Sequence, residues 1–433
     1  MTTVFLSVHE TSGDNSTAEL VHELRARCAG PAAFRAVGLG GPQMAAAGVE
    51  LWEETTSHAL MGFYEVVTEI PRVLRNIRDT ARRVAAMRPD VAVLVDAPDY
   101  NIRLAKALRA LQPDLPIVYY LCPQIWAWRV GRVSQLRKYF DARFCIVPFE
   151  PAWYRARYTS AEFIGHPAVG RIQRYREQLA ADASSAGARD GRAWLRQRFG
   201  LADDEPTIAL LPGSRRNEIR HVLATQLRAL KRLNETRAGR SLPPYRALIA
   251  VAPSRKVELI RGYLERDPVP GPPPILLHPQ EGADGGAVAG TSYDACIAAD
   301  IGAICSGTAT VETALLGLPQ VVCYRANRFS WWLLMRLVNV KFASLINLVM
   351  EREVIPELLQ HNCTPERLAA TLDALTAPDR LAQLRADYDE VSRRLGPGDG
   401  PARAAERISS RYFRPARVDD ARSSPAGHVA TAP

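Results

Sequence analysis

Short apolar runs alternate with amphipathic stretches, and they do so twice over. This restricts the chain to open, parallel α/β architecture. Val4–Val8, Phe34–Val37, Val91–Val95, Ile117–Leu121, Ala142–Val147 and Glu162–Gly165 read as strands. Thr17–Ala29, Gln43–Ala47, Glu69–Arg88, Ile102–Leu111 and Val130–Tyr139 read as the helices between them. Strands joined through helices pair in parallel, with helices covering both faces of the sheet. Ala180–Gly191 (AADASSAGARDG) has the small, polar composition of a flexible linker. The alternation then restarts with strands at Thr207–Leu211, Tyr245–Val251, Ile275–Leu277, Asp300–Ile304 and Gln320–Tyr324. Ile219–Asn234 and Lys256–Glu265 are helices among them, and Arg380–Leu395 and Ala402–Tyr412 close the pattern. The expected fold is α/β: two Rossmann-like, doubly wound parallel-sheet domains facing a cleft. Residues 1–170 form the first domain and 171–205 a linker; residues 206–395 form the second, and 396–433 a closing helix with a disordered tail. In such sheets ligands bind beyond the carboxyl ends of the strands.

The polar residues at those ends are therefore the candidates. Asp300–Ile304 runs into Cys305-Ser306-Gly307-Thr308, where Thr308 is a suitable N-cap for a helix ending before Gly317 and Pro319. A helix start there offers free N–H groups and a positive dipole end, which suits a diphosphate. Glu312, one turn on, can accept hydrogen bonds from sugar hydroxyls, or it can simply favour the dipole. Pro212-Gly213-Ser214-Arg215 closes another buried strand. Gly213 and Ser214 permit close backbone approach, and Arg215 offers a fork to a diphosphate or a surface salt bridge. In the first half, Val4–Val8 leads to His9-Glu10-Thr11-Ser12-Gly13-Asp14. Asp14 or Ser16 is the expected helix cap, which leaves Glu10 and Ser12 for other duties. Asp96-Ala97-Pro98-Asp99-Tyr100-Asn101 follows Val91–Val95. Pro98 delays the helix, so Asp99 or Asn101 is the natural cap, and Asp96 stands at the strand tip. It suits a general base or a structural carboxylate. Gln124, Trp126, Trp128 and Arg129 follow Ile117–Leu121 and can line a sugar-phosphate site or pack a domain face. Gly38-Leu39-Gly40-Gly41-Pro42 is read as a turn, because Gln43 replaces the last glycine of a dinucleotide fingerprint.

Composition narrows the function classes. The 433 residues carry a net charge of +9, which suits a phosphorylated substrate or an anionic membrane surface. No nucleic-acid motif accompanies the charge. Seven cysteines, without a C-x-x-C pair and mostly within apolar runs, read as reduced thiols of a cytoplasmic protein. The eight histidines lack metal-ligand spacing, and neither metal nor cofactor is expected. Met1-Thr2-Thr3 runs into a strand without a leader pattern. Glu69–Arg88 is an amphipathic, arginine-rich helix, and Phe329–Met350 is apolar but interrupted by Arg336, Asn339, Lys341 and Asn347. Both are too polar to span a bilayer, and either can lie on its surface or pack as a core helix.

Read together, these motifs resemble the bacterial lipid-A-disaccharide synthases, glycosyltransferases of the GT-B fold. The resemblance is carried by Glu10-Thr11-Ser12-Gly13-Asp14, Gly41-Pro42, Met61-Gly62, Asp96-Ala97-Pro98-Asp99-Tyr100-Asn101, Trp126-Ala127-Trp128-Arg129 and Pro148-Phe149-Glu150. It continues through Phe163-Ile164-Gly165-His166-Pro167, Leu211-Pro212-Gly213-Ser214-Arg215, Ser306-Gly307-Thr308-Ala309-Thr310-Val311-Glu312 and Pro356-Glu357-Leu358-Leu359-Gln360. It implies an inverting transfer from UDP-2,3-diacylglucosamine to 2,3-diacylglucosamine 1-phosphate, giving the β-1,6 lipid A disaccharide 1-phosphate and UDP. Asp96 is then the base, with Glu10 and Ser12 beside it. Arg215, Ser306, Gly307 and Thr308 hold the departing UDP, Glu312 meets the ribose, and Asn347 is carried over as a substrate contact. The implied partners are these two lipid substrates and the inner face of the cytoplasmic membrane, with a homodimer compatible. Competing readings are a UDP-N-acetylhexosamine transferase with another lipid acceptor and a non-hydrolysing UDP-sugar epimerase. The chain departs from the family at His9, where glycine is usual.

Overall fold

The computed structural model describes residues 1–56, 63–214, 216–252, 257–279, 288–325 and 340–413. Among these, the strands form two seven-stranded sheets. The first contains β1 (Thr2–Ser7), β2 (Phe34–Gly40), β3 (Glu50–Glu54), β4 (Val91–Val95), β5 (Ile117–Tyr120), β6 (Ala142–Cys145) and β7 (Glu162–Phe163). Its order is β3-β2-β1-β4-β5-β6-β7, and every pairing is parallel. The second contains β8 (Thr207–Leu211), β9 (Arg246–Ala250), β10 (Ile275–His278), β11 (Val288–Ala289), β12 (Ile301–Cys305), β13 (Gln320–Tyr324) and β14 (Glu357–Leu359). Its order, β11-β10-β9-β8-β12-β13-β14, repeats the same winding, again wholly in parallel. The doubly wound expectation holds for both halves.

The strands are apolar throughout because both faces are covered. Val91, Val93 and Val95 enter one core with Leu20, Val21 and Leu24, while Ala92 and Leu94 enter the opposite core with Ile77, Ala81 and Leu104. Two cores flank the second sheet in the same way. The edge strand Glu50–Glu54 escaped the sequence reading: its residues are half-buried or exposed and two-sided in character, as edges often are.

One expectation, the flexible linker at Ala180–Gly191, is corrected here. The helix Pro167–Ser185 continues through most of that stretch, and a second helix, Gly191–Arg198, follows a short turn. Leu179 and Ala183 are buried with Leu195 and Phe199, so apolar anchoring overrides the small-residue composition. The closing helix expected near the end of the chain is present and runs from Gly400 to Tyr412. Its Ala404, Ala405 and Ile408 join the core of the first sheet beside Leu20, Val21 and Leu24. The chain therefore crosses between the halves twice, at adjacent points. His166 N donates to Leu395 O at 2.7 Å. A Cβ on Gly170 would lie 2.2 Å from Gly398 O, so only glycine lets the two crossings touch.

The helix Phe63–Met87 carries Pro71 within it and packs on Pro98–Leu111. Among the described residues no helix is long and apolar enough to cross a membrane. Met61, Gly62 and the 329–339 part of the aromatic segment lie outside the described residues, whereas Leu345–Met350 is helical.

Candidate active site

Strand order reverses at two places, between β1 and β4 and between β8 and β12. The crevices there are where open α/β sheets receive ligands. A cavity of about 370 Å³ lies where the two meet, with walls from Glu10, Ser12, Gly13, Asp96 and Gln124 on one side and Ser306, Gly307 and Thr308 on the other. Leu121, Ile146, Val311, Leu345 and Leu348 give it an apolar flank.

Asp96 is the most constrained residue in it. Its carboxylate accepts from His9 N at 3.1 Å and from Glu10 N at 3.0 Å, joining the tips of β1 and β4. Asp96 and Ala97 both have left-handed backbones, φ 51 and 33, before the helix begins at Pro98. Such conformations cost on the order of 1–3 kcal/mol each and persist only where surroundings impose them. Here Tyr119 Oη donates to Asp96 O at 2.5 Å, and Asn101 Nδ2 donates to Val95 O at 2.6 Å and Asp96 O at 3.2 Å. Asn101 is itself fixed by Ser7 Oγ at 2.8 Å. It is a strand-end brace, and neither it nor Asp99 caps the helix; Asp99 pairs instead with Arg129 and Arg132. Burial holds the Asp96 carboxyl well above the ordinary range, and the nearby Glu10 charge adds to this.

Gly13 has no room to be anything else. A Cβ there would lie 2.2 Å from Asp96 Oδ2. Gly13→Ala is expected to displace the carboxylate and lower kcat more than tenfold, at roughly unchanged secondary structure by circular dichroism. An alanine variant with wild-type kcat would show that the carboxylate position does not matter. Asp14 does not cap its own helix, which starts at Thr11 with Glu10 as N-cap. It accepts from Gly41 N, Gln43 N and Met44 N, and so secures the turn after β2.

Across the cavity, the helix Thr308–Leu315 has Gly307 rather than Thr308 as its N-cap, with no side-chain cap. Thr310 N turns back to Gly307 O at 3.2 Å, and no side chain caps the Thr308 and Ala309 N–H groups. Glu312 stands just behind the cavity wall, accepting from Tyr293 Oη at 2.7 Å and from Arg171 Nη2 at 3.2 Å. Arg171 is in the wall and also donates to Ser16 Oγ at 3.2 Å, bridging the two halves. Gly213 and Ser214 follow β8, with Ser214 N donating to Glu218 Oε2, and they stand outside the cavity wall. Arg215 lies outside the described residues. Among the described residues no cluster of three His, Cys, Asp or Glu side chains is placed to hold a metal ion.

A family model described as lipid-A-disaccharide synthetase matches residues 4–243 and 283–395. The chain belongs to that family. It is 38% identical over 400 residues to the lipid-A-disaccharide synthase of Myxococcus xanthus, covering 92% of this chain and 94% of that one. It is 34% identical over 421 residues to that of Koribacter versatilis, covering 97% and 100%. Among solved structures, the UDP-GlcNAc 2-epimerase from Neisseria meningitidis bound to UDP-GlcNAc is similar with a TM-score of 0.61 at 11% identity, over 95% of this chain and 100% of that one. The calicheamicin glycosyltransferase is similar with a TM-score of 0.54 at 15% identity, over 96% and 100%. At those identities the likeness is one of fold, and it bears out the GT-B architecture. Membership of the lipid-A-disaccharide synthase family bears out the reading of a glycosyltransferase of lipid A biosynthesis.

Three residues singled out in the sequence hold the protein together instead of facing the cavity. Trp126 is buried, donates through Nε1 to Glu150 Oε1 at 2.8 Å and meets the Phe149 ring edge-on, so its face is not open to a sugar. Burial pushes the Glu150 carboxyl up to about 7. Arg129 lies over the Trp128 ring and pairs with Asp99 at 2.7 Å. Asn347 is fully buried, accepting from Val354 N and Ile355 N and donating to Ile355 O and Glu357 Oε1. Conversely, the reading of the residues gave no role to His166 and Arg171, which the structure puts in the cavity wall. His166 follows the last strand of its sheet and precedes a helix-starting proline, the same signal that exposed Asp96.

Proposed function

We propose that this enzyme moves the diacylglucosaminyl group of UDP-2,3-diacylglucosamine onto the 6-hydroxyl of 2,3-diacylglucosamine 1-phosphate. The products are the β-1,6 lipid A disaccharide 1-phosphate and UDP. One observation carries the assignment of roles: a half-buried carboxylate at one switch point shares a cavity with a helix start at the other that has no side-chain cap. In a single inverting displacement the acceptor oxygen attacks the anomeric carbon as the bond from that carbon to the UDP oxygen breaks. Asp96 takes the hydroxyl proton, a task for which its elevated pKa improves the match to an alcohol. The negative charge that develops on the departing diphosphate is met by the N–H groups after Ser306 and Gly307, and Arg215, carried over from the family motif, is assigned to the same diphosphate. Glu312 takes the ribose hydroxyls. Glu10, Ser12 and Gln124, beside Asp96, orient the acceptor sugar, and the Leu121, Ile146, Leu345 and Leu348 flank suits the acyl-bearing side of the substrates.

The test is turnover in detergent with both lipids, following UDP and disaccharide by mass spectrometry. Disaccharide and UDP in equal amounts are expected. UDP released without disaccharide would move the assignment to another acceptor or to epimerase chemistry.

We place the enzyme peripherally on the inner face of the cytoplasmic membrane. The net charge of +9 and the exposed Arg72, Val73, Arg75 and Arg78 on one helix support this. Flotation with anionic but not neutral vesicles at low salt is the expected behaviour, and failure to float would remove the proposal.

A further inference from the structure

The proposed reaction brings two phosphorylated groups into one cavity, a diphosphate and a phosphate monoester. The cavity has two positively polarised corners. The start of Thr308–Leu315 is one. The other is built on the helix Pro167–Ser185, whose first residue also lines the cavity. His166 is the N-cap of that helix, and its Nδ1 accepts from Ala168 N at 3.2 Å. A ring nitrogen that accepts carries no proton, so the proton of the neutral imidazole sits on Nε2. His166 is only 5% exposed, lines the cavity, and has no partner for Nε2 among the described residues. Burial, reinforced by the Arg171 charge, pushes the imidazole pKa down to about 3, so the ring stays a neutral donor at working pH. One turn along the same helix, the Arg171 guanidinium enters the wall, held by Ser16 and Glu312.

We propose that His166 and Arg171 bind the 1-phosphate of the acceptor lipid, leaving the other helix start to the donor diphosphate. This rests on the transfer reaction proposed above and deepens it. The corner belongs with the acceptor for two reasons. His166 follows β7, at the same end of the same sheet as Asp96, and Arg171 is tied to Ser16 on the helix after β1. A neutral N–H donor and a guanidinium fork, backed by the positive end of the helix dipole, suit the oxygens of a monoester.

The experiment uses His166→Asn. Asparagine is a favoured N-cap whose carbonyl can take over the Ala168 N–H, while its shorter side chain withdraws the donor from the cavity. Steady-state kinetics with UDP-2,3-diacylglucosamine and 2,3-diacylglucosamine 1-phosphate should show the acceptor KM raised roughly ten- to hundredfold, the cost of one hydrogen bond to a charged group. The donor KM should stay within about twofold. With 2,3-diacylglucosamine lacking the phosphate, wild type and variant should turn over alike. Arg171→Lys, which keeps the charge but loses the fork, should raise the same KM and serves should the first variant misfold. An unchanged acceptor KM, an equal rise in donor KM, or the same penalty on the phosphate-free acceptor would overturn the assignment. Absence of disaccharide from the wild type would instead overturn the transfer reaction itself.

Discussion

Asp96→Asn is expected to lower kcat by about two to four orders of magnitude, the usual worth of a positioned general base, while making the protein harder to unfold. The first effect follows from the loss of the half-buried carboxylate in the cavity wall, where Glu10, the other carboxylate lining it, is exposed. The second follows from the same environment. Burial and Glu10 raise the folded-state pKa of Asp96 above that of the unfolded chain. Across the window between the two, the native state holds more protons than the unfolded one, so stability falls as pH rises. Above the window the ionised carboxylate is a standing cost, which the neutral amide removes while keeping an oxygen for His9 N and Glu10 N. The variant should therefore show a higher urea midpoint than wild type at pH 7.5, with the gap closing toward acid. Wild-type kcat should fall on the acid side with an apparent pKa above the ordinary carboxylate range. A variant within threefold of wild-type activity, or one less stable than wild type at pH 7.5, would strike at the assignment.

Asn347→Ala should produce the largest loss of stability among the residues considered, about 3 kcal/mol, from buried backbone groups at Val354 and Ile355 left without partners. Glu357 also loses a donor, though Ala343 N and Ser344 N remain to it. Denaturant titration measures the loss. Below the transition the KM for the UDP donor should stay within about twofold, since Leu345 and Leu348 line the cavity and Asn347 does not. A stable variant with weakened donor binding would restore Asn347 as a substrate contact.

The difference between Asp96 and Asn347 shows what was legible in the sequence. Asp96, Ser306, Gly307 and Thr308 were found by a rule about strand ends, and such ends are visible as apolar runs that stop. Trp126 also stood after a strand end and Asn347 came from family resemblance, and neither signal distinguishes a side chain that meets a ligand from one that braces a loop. Asp14 was misjudged because local capping competes with a longer reach, to Gly41, Gln43 and Met44, which no local pattern encodes. The helix through Ser185 was hidden by composition, since Leu179 and Ala183 declare their burial only against Leu195 and Phe199. Arg171 was illegible for a similar reason: its partners Ser16 and Glu312 are far apart in sequence.

The closing helix has a consequence for how the molecule is made. Leu20, Val21 and Leu24, on the helix Thr11–Ala26, share a core with Ala404, Ala405 and Ile408, which are synthesised about 380 residues later. At roughly 5–20 residues per second, that apolar face waits tens of seconds for its cover. The first half is thus completed after the second, and a nascent chain stalled before Gly400 exposes a surface for chaperones to hold. Moving the Gly400–Tyr412 segment ahead of Met1 by circular permutation would let the first domain close before the second is translated.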